Sequence, residues 1–254
     1  MAIPALKIKD LQKTYATGTV ALKGVSLEIP QGDFFALLGP NGAGKTTIIG
    51  ITTGLVNKTG GTVSVFGHDI DKETELAKMQ IGLVGQEVNF NPFEKTLNII
   101  VNQAGYYGIP RSVAIPRAKK LLTDLGLGEK MEQNAMTLSG GMKRRLMIVR
   151  ALVNEPKFLI LDEPTAGLDV ELRRGMWEYL TGLSKAGLTI LLTTHYLEEA
   201  EQLCKHVAII NKGQIVAMGT MEEVIATHHS GEPAKDGYRG SRLEEVFLKL
   251  TSEK

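Results

Sequence analysis

The first thirty residues alternate between apolar and polar positions. Leu6, Ile8 and Leu11, and then Leu22, Val25, Leu27 and Ile29, recur at close to every second position, the period of a strand with one buried face. Ala16-Thr17-Gly18-Thr19 between them reads as a turn, so the pattern predicts an antiparallel β piece at the N-terminus. Further along, alternation gives way to nearly unbroken apolar runs at Phe34–Leu38, Phe158–Leu161 and Leu188–Thr193. Such runs suit strands covered on both faces, as at the centre of a parallel sheet. Thr62–Phe66 and Ile81–Val84 read as further strands, and Val207–Ile210 and Gln214–Ala217 flank Lys212-Gly213, a hairpin signal.

The period changes between Glu94 and Leu125. Leu97, Ile99, Ile100 and Val101 are followed by Ala118, Leu121, Leu122 and Leu125, the last four at helical spacing. Ile109-Pro110 and Pro116 are expected to punctuate this stretch. Further helices are predicted from near Ser139 to Val153, over Tyr196–Cys204 and over Leu243–Leu250. Strands alternating with helices argue for an α/β core. The pattern therefore predicts a single domain over residues 1–254, with a core of residues 1–86 and 155–227, an inserted, mainly helical lobe of residues 87–154 and a tail of residues 228–254. His228–Ser241 is polar; its histidine pair lacks nearby carboxylate or cysteine partners and reads as part of an exposed linker. No tandem repeat is evident.

Composition narrows the picture in three ways. With 254 residues, 43% of them hydrophobic, the chain can bury a substantial core. Its 29 Lys+Arg against 28 Asp+Glu give a formal charge of +1, which argues against nucleic acid as the main partner. Cys204 is the only cysteine, so no intramolecular disulfide can form, consistent with a reducing cytosol. It reads as a small apolar residue of its helix rather than a nucleophile. The N-terminus lacks the basic head and apolar stretch of a signal peptide. No apolar run approaches the ~18–20 residues needed to span a bilayer. A soluble chain is expected, with any membrane span supplied by other chains.

Candidate chemistry enters at Gly39–Thr46, which reads GPNGAGKT. This is the phosphate-cradling pattern G-x-x-x-x-G-K-[ST], preceded here by an apolar strand and followed by a helix start at Thr47-Ile48-Ile49. Backbone N–H groups of such a loop form a concave anion site at the helix N-terminus. Lys45 adds a point charge for the outer phosphates, and Thr46 offers a hydroxyl to Mg²⁺. A bound nucleoside triphosphate is predicted.

Asp162-Glu163 end the apolar run that begins at Phe158. Ligands of open parallel sheets sit at the strands' C-terminal ends. Asp162 there suits Mg²⁺, and Glu163 beside a γ-phosphate is a candidate general base for attack by water. The competing reading is a solvated pair capping the next helix; the apolar strand and phosphate loop favour the functional one. His195, after the strand Leu188–Thr193, reads either as a hydrogen bonder at a helix end or, if that strand lies beside Phe34–Leu38, as a phosphate sensor. Gln86 could bond a Mg²⁺-bound water or be a surface residue at a loop entry. Ser139-Gly140-Gly141 open a helix carrying Lys143, Arg144 and Arg145, a second anion site. Two such sites far apart in sequence raise the possibility that two chains complete each other. Arg144 and Arg145 are expected to face solvent in part, and Trp177 to pack. Phe90 and Phe93 are read equally as internal packing or as contacts for a membrane partner.

Taken in order, these motifs resemble the nucleotide-binding subunit of an ATP-binding cassette (ABC) transporter. GPNGAGKT resembles its Walker A loop, FLILDEP (Phe158–Pro164) its Walker B strand and LSGGM (Leu138–Met142) its signature. Ala166-Gly167-Leu168-Asp169 resembles its D-loop, Gln86 its Q-loop and His195 its switch histidine, and Tyr15 sits where the family places an aromatic under adenine. The resemblance implies a P-loop NTPase core with a mainly parallel sheet, an N-terminal antiparallel β piece and an inserted helical lobe. It implies ATP and Mg²⁺ as cofactors, with ATP contacted by Tyr15, by Gly39, Pro40, Asn41, Gly42, Ala43, Gly44, Lys45, Thr46 and Thr47, and by Ser139, Gly140 and Gly141. Metal contacts fall to Thr46, Gln86 and Asp162, and catalysis to Glu163, His195 and Lys45.

The partners it implies are a second cassette, packed head to tail around ATP, and integral-membrane permease subunits that hold the chain at the cytoplasmic face of the membrane. Met142 replaces the glutamine of the commonest signature. Met142-Lys143-Arg144-Arg145 and the tail Leu243–Leu248 resemble the ABC-2-type (drug and polysaccharide) exporter branch. The alternative is a soluble ABC-type ATPase scaffold, for example in cofactor assembly, not coupled to transport.

Overall fold

The alternation of the first thirty residues forms a hairpin in the computed structural model, which describes residues 3–228 and 241–252. The elements begin with β1 (Leu6–Thr14), β2 (Val20–Ile29), β3 (Phe34–Leu38), α1 (Lys45–Thr52), β4 (Gly60–Val65), β5 (His68–Asp69), α2 (Thr74–Met79) and β6 (Ile81–Val84). There follow α3 (Thr96–Tyr106), α4 (Arg111–Asp124), α5 (Gly140–Leu152), β7 (Phe158–Asp162) and α6 (Val170–Lys185). The chain continues through β8 (Thr189–Thr193), α7 (Leu197–Leu203), β9 (His206–Asn211), β10 (Gln214–Thr220), α8 (Met221–His228) and α9 (Arg242–Thr251). It divides into two compact units, Met1–Lys78 with Thr189–Lys254, and Met79–Leu188.

In the first unit, β2, β1, β4 and β5 form an antiparallel sheet in that order. Strand β3 pairs in parallel with β8 on one side and β9 on the other. Every residue of β3 and β8 is buried, which is why neither alternates in sequence. The β9–β10 hairpin turns through Lys212 and Gly213 at φ 47° and 81°, the paired left-handed conformations of a two-residue hairpin turn. Helix α9 buries Leu243 and Val246, and it packs on α7, α8 and β9. Its N-cap Ser241 accepts a hydrogen bond from the Glu244 N–H. Cys204 is buried; burial and the neighbouring Glu199 and Asp33 push its thiol well above the ordinary range. It therefore stays a neutral packing residue. His228 closes α8, whereas the linker read between it and Ser241 lies outside the described residues, as does His229.

In the second unit, β6 and β7 pair in parallel, with all five residues of β7 buried. Helix α5 packs on α3, α4 and β6 and buries Leu146, Met147, Ile148 and Val149, so it is covered nearly all round. Pro110 stands at the N-cap of α4 and so bounds it, but Pro116 lies within the helix and does not interrupt it. Pro116 and Ser112 are both exposed. The Ser112 carbonyl that loses its intrahelical donor can therefore turn to water, which limits the cost of a mid-helix proline. None of the helices among the described residues is long and apolar enough to cross a membrane.

Candidate active site

The predicted site residues fall into two groups, one in each unit. In the first, buried β3 delivers the chain into Gly39–Gly44 and then α1. Gly44 is the N-cap of α1 at φ 118°, and no side chain caps this helix. Its first-turn N–H groups are the donors an anion would use. A side chain at Gly44 would be strained, and its Cβ would lie 2.7 Å from Leu22 Cδ2 and 3.0 Å from the Ala21 carbonyl oxygen. Lys45 Nζ donates to the carbonyls of Gly39 (2.6 Å) and Pro40 (3.1 Å), which centres its ammonium over the loop. Thr46 is exposed and Thr47 buried. The Thr47 hydroxyl lies 3.2 Å from Tyr15 Oη. Tyr15 is 37% exposed, with the Lys13 ammonium 4.8 Å from its ring centroid. His195 is exposed at the end of β8, the neighbour of β3 as the sequence reading required. Its ring lies 4.0 Å from that of Tyr196.

In the second unit, β7 ends at Asp162, which is only 8% exposed. Glu163 follows with φ 52°, a left-handed conformation that a non-glycine residue adopts at some cost. Gln86, two residues beyond β6, donates from Nε2 to Glu163 Oε2 at 3.2 Å. Residues separated by 77 positions thus meet. Ser139 is the N-cap of α5, its Oγ accepting from the Met142 N–H at 3.3 Å. Ser139 and Gly140 are exposed, and no acidic residue lies in the first turn to compete for an anion. A Cβ at Gly141 would lie 2.9 Å from Leu172 Cδ1, a side-chain tip that would have to shift. Asp169 caps α6, accepting from the Leu172 N–H at 2.8 Å. Phe93 is 71% exposed, and Phe90 and Trp177 are half-buried.

Contrary to the expectation of a partly solvated side chain, Arg144 is 8% exposed and donates to the carbonyls of Gly85 (2.8 Å) and Gln86 (2.9 Å). Burial draws its pKa down, against the opposing pull of Glu163 and Asp162. Its spacing along the chain carries the signal for this burial. Arg144, Ile148 and Ala151 are spaced i, i+4 and i+7, so Arg144 falls on a buried face of α5.

A glycine loop between a buried parallel strand and a helix, a strand-end carboxylate pair and a capped glycine turn opening a further helix together define an ATP-binding cassette ATPase. Residues 22–166 match the family described as ABC transporter, and the chain belongs to that family. It is 39% identical over 219 residues to the linearmycin resistance ATP-binding protein LnrL of Bacillus subtilis (strain 168), covering 86% of this chain and 70% of that protein. It is 40% identical over 220 residues to the Nod factor export ATP-binding protein I of Cupriavidus metallidurans, covering 87% of this chain and 72% of that protein. Its fold is similar to the dimeric, post-hydrolysis structure of the ATP-binding cassette MJ0796 bound to ADP and Pi. The TM-score is 0.77 at 28% identity, over 85% of this chain and 98% of that one.

Proposed function

We propose that this chain is the ATP-hydrolysing subunit of a membrane exporter of the ABC-2 type. The observation that carries the catalytic reading is Glu163 at the end of fully buried β7, its carboxylate bonded by the Gln86 amide. Relatives described by export and resistance support the direction of transport. Lys45 and the loop amides of Gly39–Thr47 bind the phosphates, Tyr15 stacks under adenine, and His195 senses the γ-phosphate. Glu163 takes a proton from the attacking water as its oxygen bonds to the γ-phosphorus and the bond to the β-phosphate oxygen breaks, giving ADP and phosphate.

The side chains assigned to the metal have the donor chemistry that magnesium takes. Thr46 offers an exposed hydroxyl and Asp162 a carboxylate at the end of a buried strand, the oxygen donors that this hard cation takes alongside phosphates and water. Mg²⁺, when bound, offsets negative charge on the phosphate oxygens; Gln86 would reach it through water.

Ser139, Gly140 and Gly141 bind the ATP held by a second cassette, a copy of this chain, so ATP favours the joined pair. The dimeric state of the MJ0796 cassette supports this arrangement. Permease subunits hold the pair at the cytoplasmic face of the membrane and take up the motion near Gln86. The division into a catalytic core (residues 1–86 and 155–227), a helical lobe (87–154) and a tail (228–254) belongs to the same proposal.

Extraction in detergent tests the coupling. Co-purification with a polytopic membrane protein is expected; recovery with soluble partners alone would contradict transport and favour a cofactor-assembly scaffold. Tyr15→Ala tests the base site. Its ATP affinity should fall by about 1–3 kcal/mol, the scale of aromatic–base stacking, while binding of inorganic triphosphate is unchanged. Equal losses for both ligands would remove Tyr15 from under the base.

A further inference from the structure

Arg144 bears a charge in a buried position, which is costly unless its donors are used. They are spent on two successive backbone carbonyls, Gly85 at 2.8 Å from Nη1 and Gln86 at 2.9 Å from Nη2. A planar guanidinium that holds consecutive carbonyls restrains the backbone on both sides of the Gln86 Cα, and with it the direction in which the Gln86 side chain leaves the chain. That side chain ends on Glu163 Oε2. Arg150, farther along the same helix, holds Asn89 through its carbonyl and side-chain oxygens. Helix α5 therefore grips the segment after β6 through Arg144 and Arg150, and Arg144 holds the residue whose amide donates to Glu163. We propose that Arg144 is a positioning residue for hydrolysis: by clamping Gly85 and Gln86 it sets the Gln86 amide against Glu163 and orients that carboxylate. The general base is thereby held by a relay from the helix that Ser139 opens. This parallels the requirement, general to base catalysis, that the base be oriented by a further group.

The inference rests on Glu163 acting as base, and the experiment separates the two. Arg144→Met and Arg144→Lys are made in the full chain, and kcat, KM, ATP affinity and thermal midpoint are measured for each. Both should lose about 10- to 100-fold in kcat, the scale of a small misplacement of a catalytic group. KM and ATP affinity should stay within about twofold. Lysine does not rescue, because an ammonium cannot hold two carbonyls in one plane. In a Gln86→Ala background, Arg144→Met should add less than about twofold, since the relay is already broken.

Wild-type kcat in Arg144→Lys would overturn the assignment, as would a lower thermal midpoint with unchanged kcat. So would an equal loss from Arg144→Met with and without Gln86. If Arg144→Met does not fold, Arg144→Lys decides. If Glu163→Gln hydrolyses ATP normally, it is the catalytic reading that fails; if Glu163→Gln is inactive while Arg144→Lys is fully active, only the role of Arg144 fails.

Discussion

Glu163→Gln is expected to bind ATP as tightly as the wild type and to hydrolyse it about 10²–10⁴-fold more slowly. The substitution keeps the size of the side chain and leaves Gln86 a carbonyl oxygen to bond, so the fold at the end of β7 should persist. What disappears is the capacity to accept a proton from water, because an amide is a far weaker base than a carboxylate. In the proposed site, binding falls to other groups, chiefly the Gly39–Thr46 loop and Lys45, and should not change. Phosphate release under saturating ATP, with equilibrium binding of the nucleotide alongside, reads both halves. A variant that turns over at the wild-type rate would remove Glu163 from the chemistry.

Lys45→Ala should act on the opposite half. Lys45 Nζ is centred over the loop by the Gly39 and Pro40 carbonyls, and truncating one partner of a close charge pair costs about 2–5 kcal/mol. That is a weakening of ATP binding of roughly 30-fold or more. Helix α1 should persist, since its N-cap is the Gly44 backbone, while the Gly39 and Pro40 carbonyls lose their ammonium donor. The loss should be larger for ATP than for AMP, which lacks the outer phosphates, and titration of both nucleotides checks this. Unchanged ATP affinity would contradict the cradle. Together the two substitutions separate binding from turnover, which a single inactive variant cannot do.

Local signals in this chain were readable and distant ones were not. The β9–β10 turn was legible because Lys212-Gly213 sits between two apolar runs. Helix α5 was legible from a cap residue, two glycines and a helical apolar period. Strand β3 and its loop were legible because strand, glycines and helix start are contiguous. The six-residue helix α2 and two-residue strand β5 escaped because elements so short carry too little pattern. Pro116 looks like a breaker in sequence, because the exposed setting that makes it tolerable is a tertiary fact. In the site, every candidate came from a motif, yet the bonds between them did not. Gln86 meets Glu163 across 77 positions, and Arg144 reaches Gly85 across 59. Only the packing of α5 on β6 brings the arginine to the strand end.

The central claim is that ATP joins two copies of this chain, each supplying the Ser139–Gly141 turn to nucleotide held by the other's Lys45 loop. The most direct measurement is the sedimentation of Glu163→Gln with ATP and Mg²⁺. This variant should bind nucleotide without consuming it, so the joined state should persist. The account predicts a dimer with ATP and a monomer without it. A monomer with ATP bound, up to the highest attainable protein concentration, would contradict it.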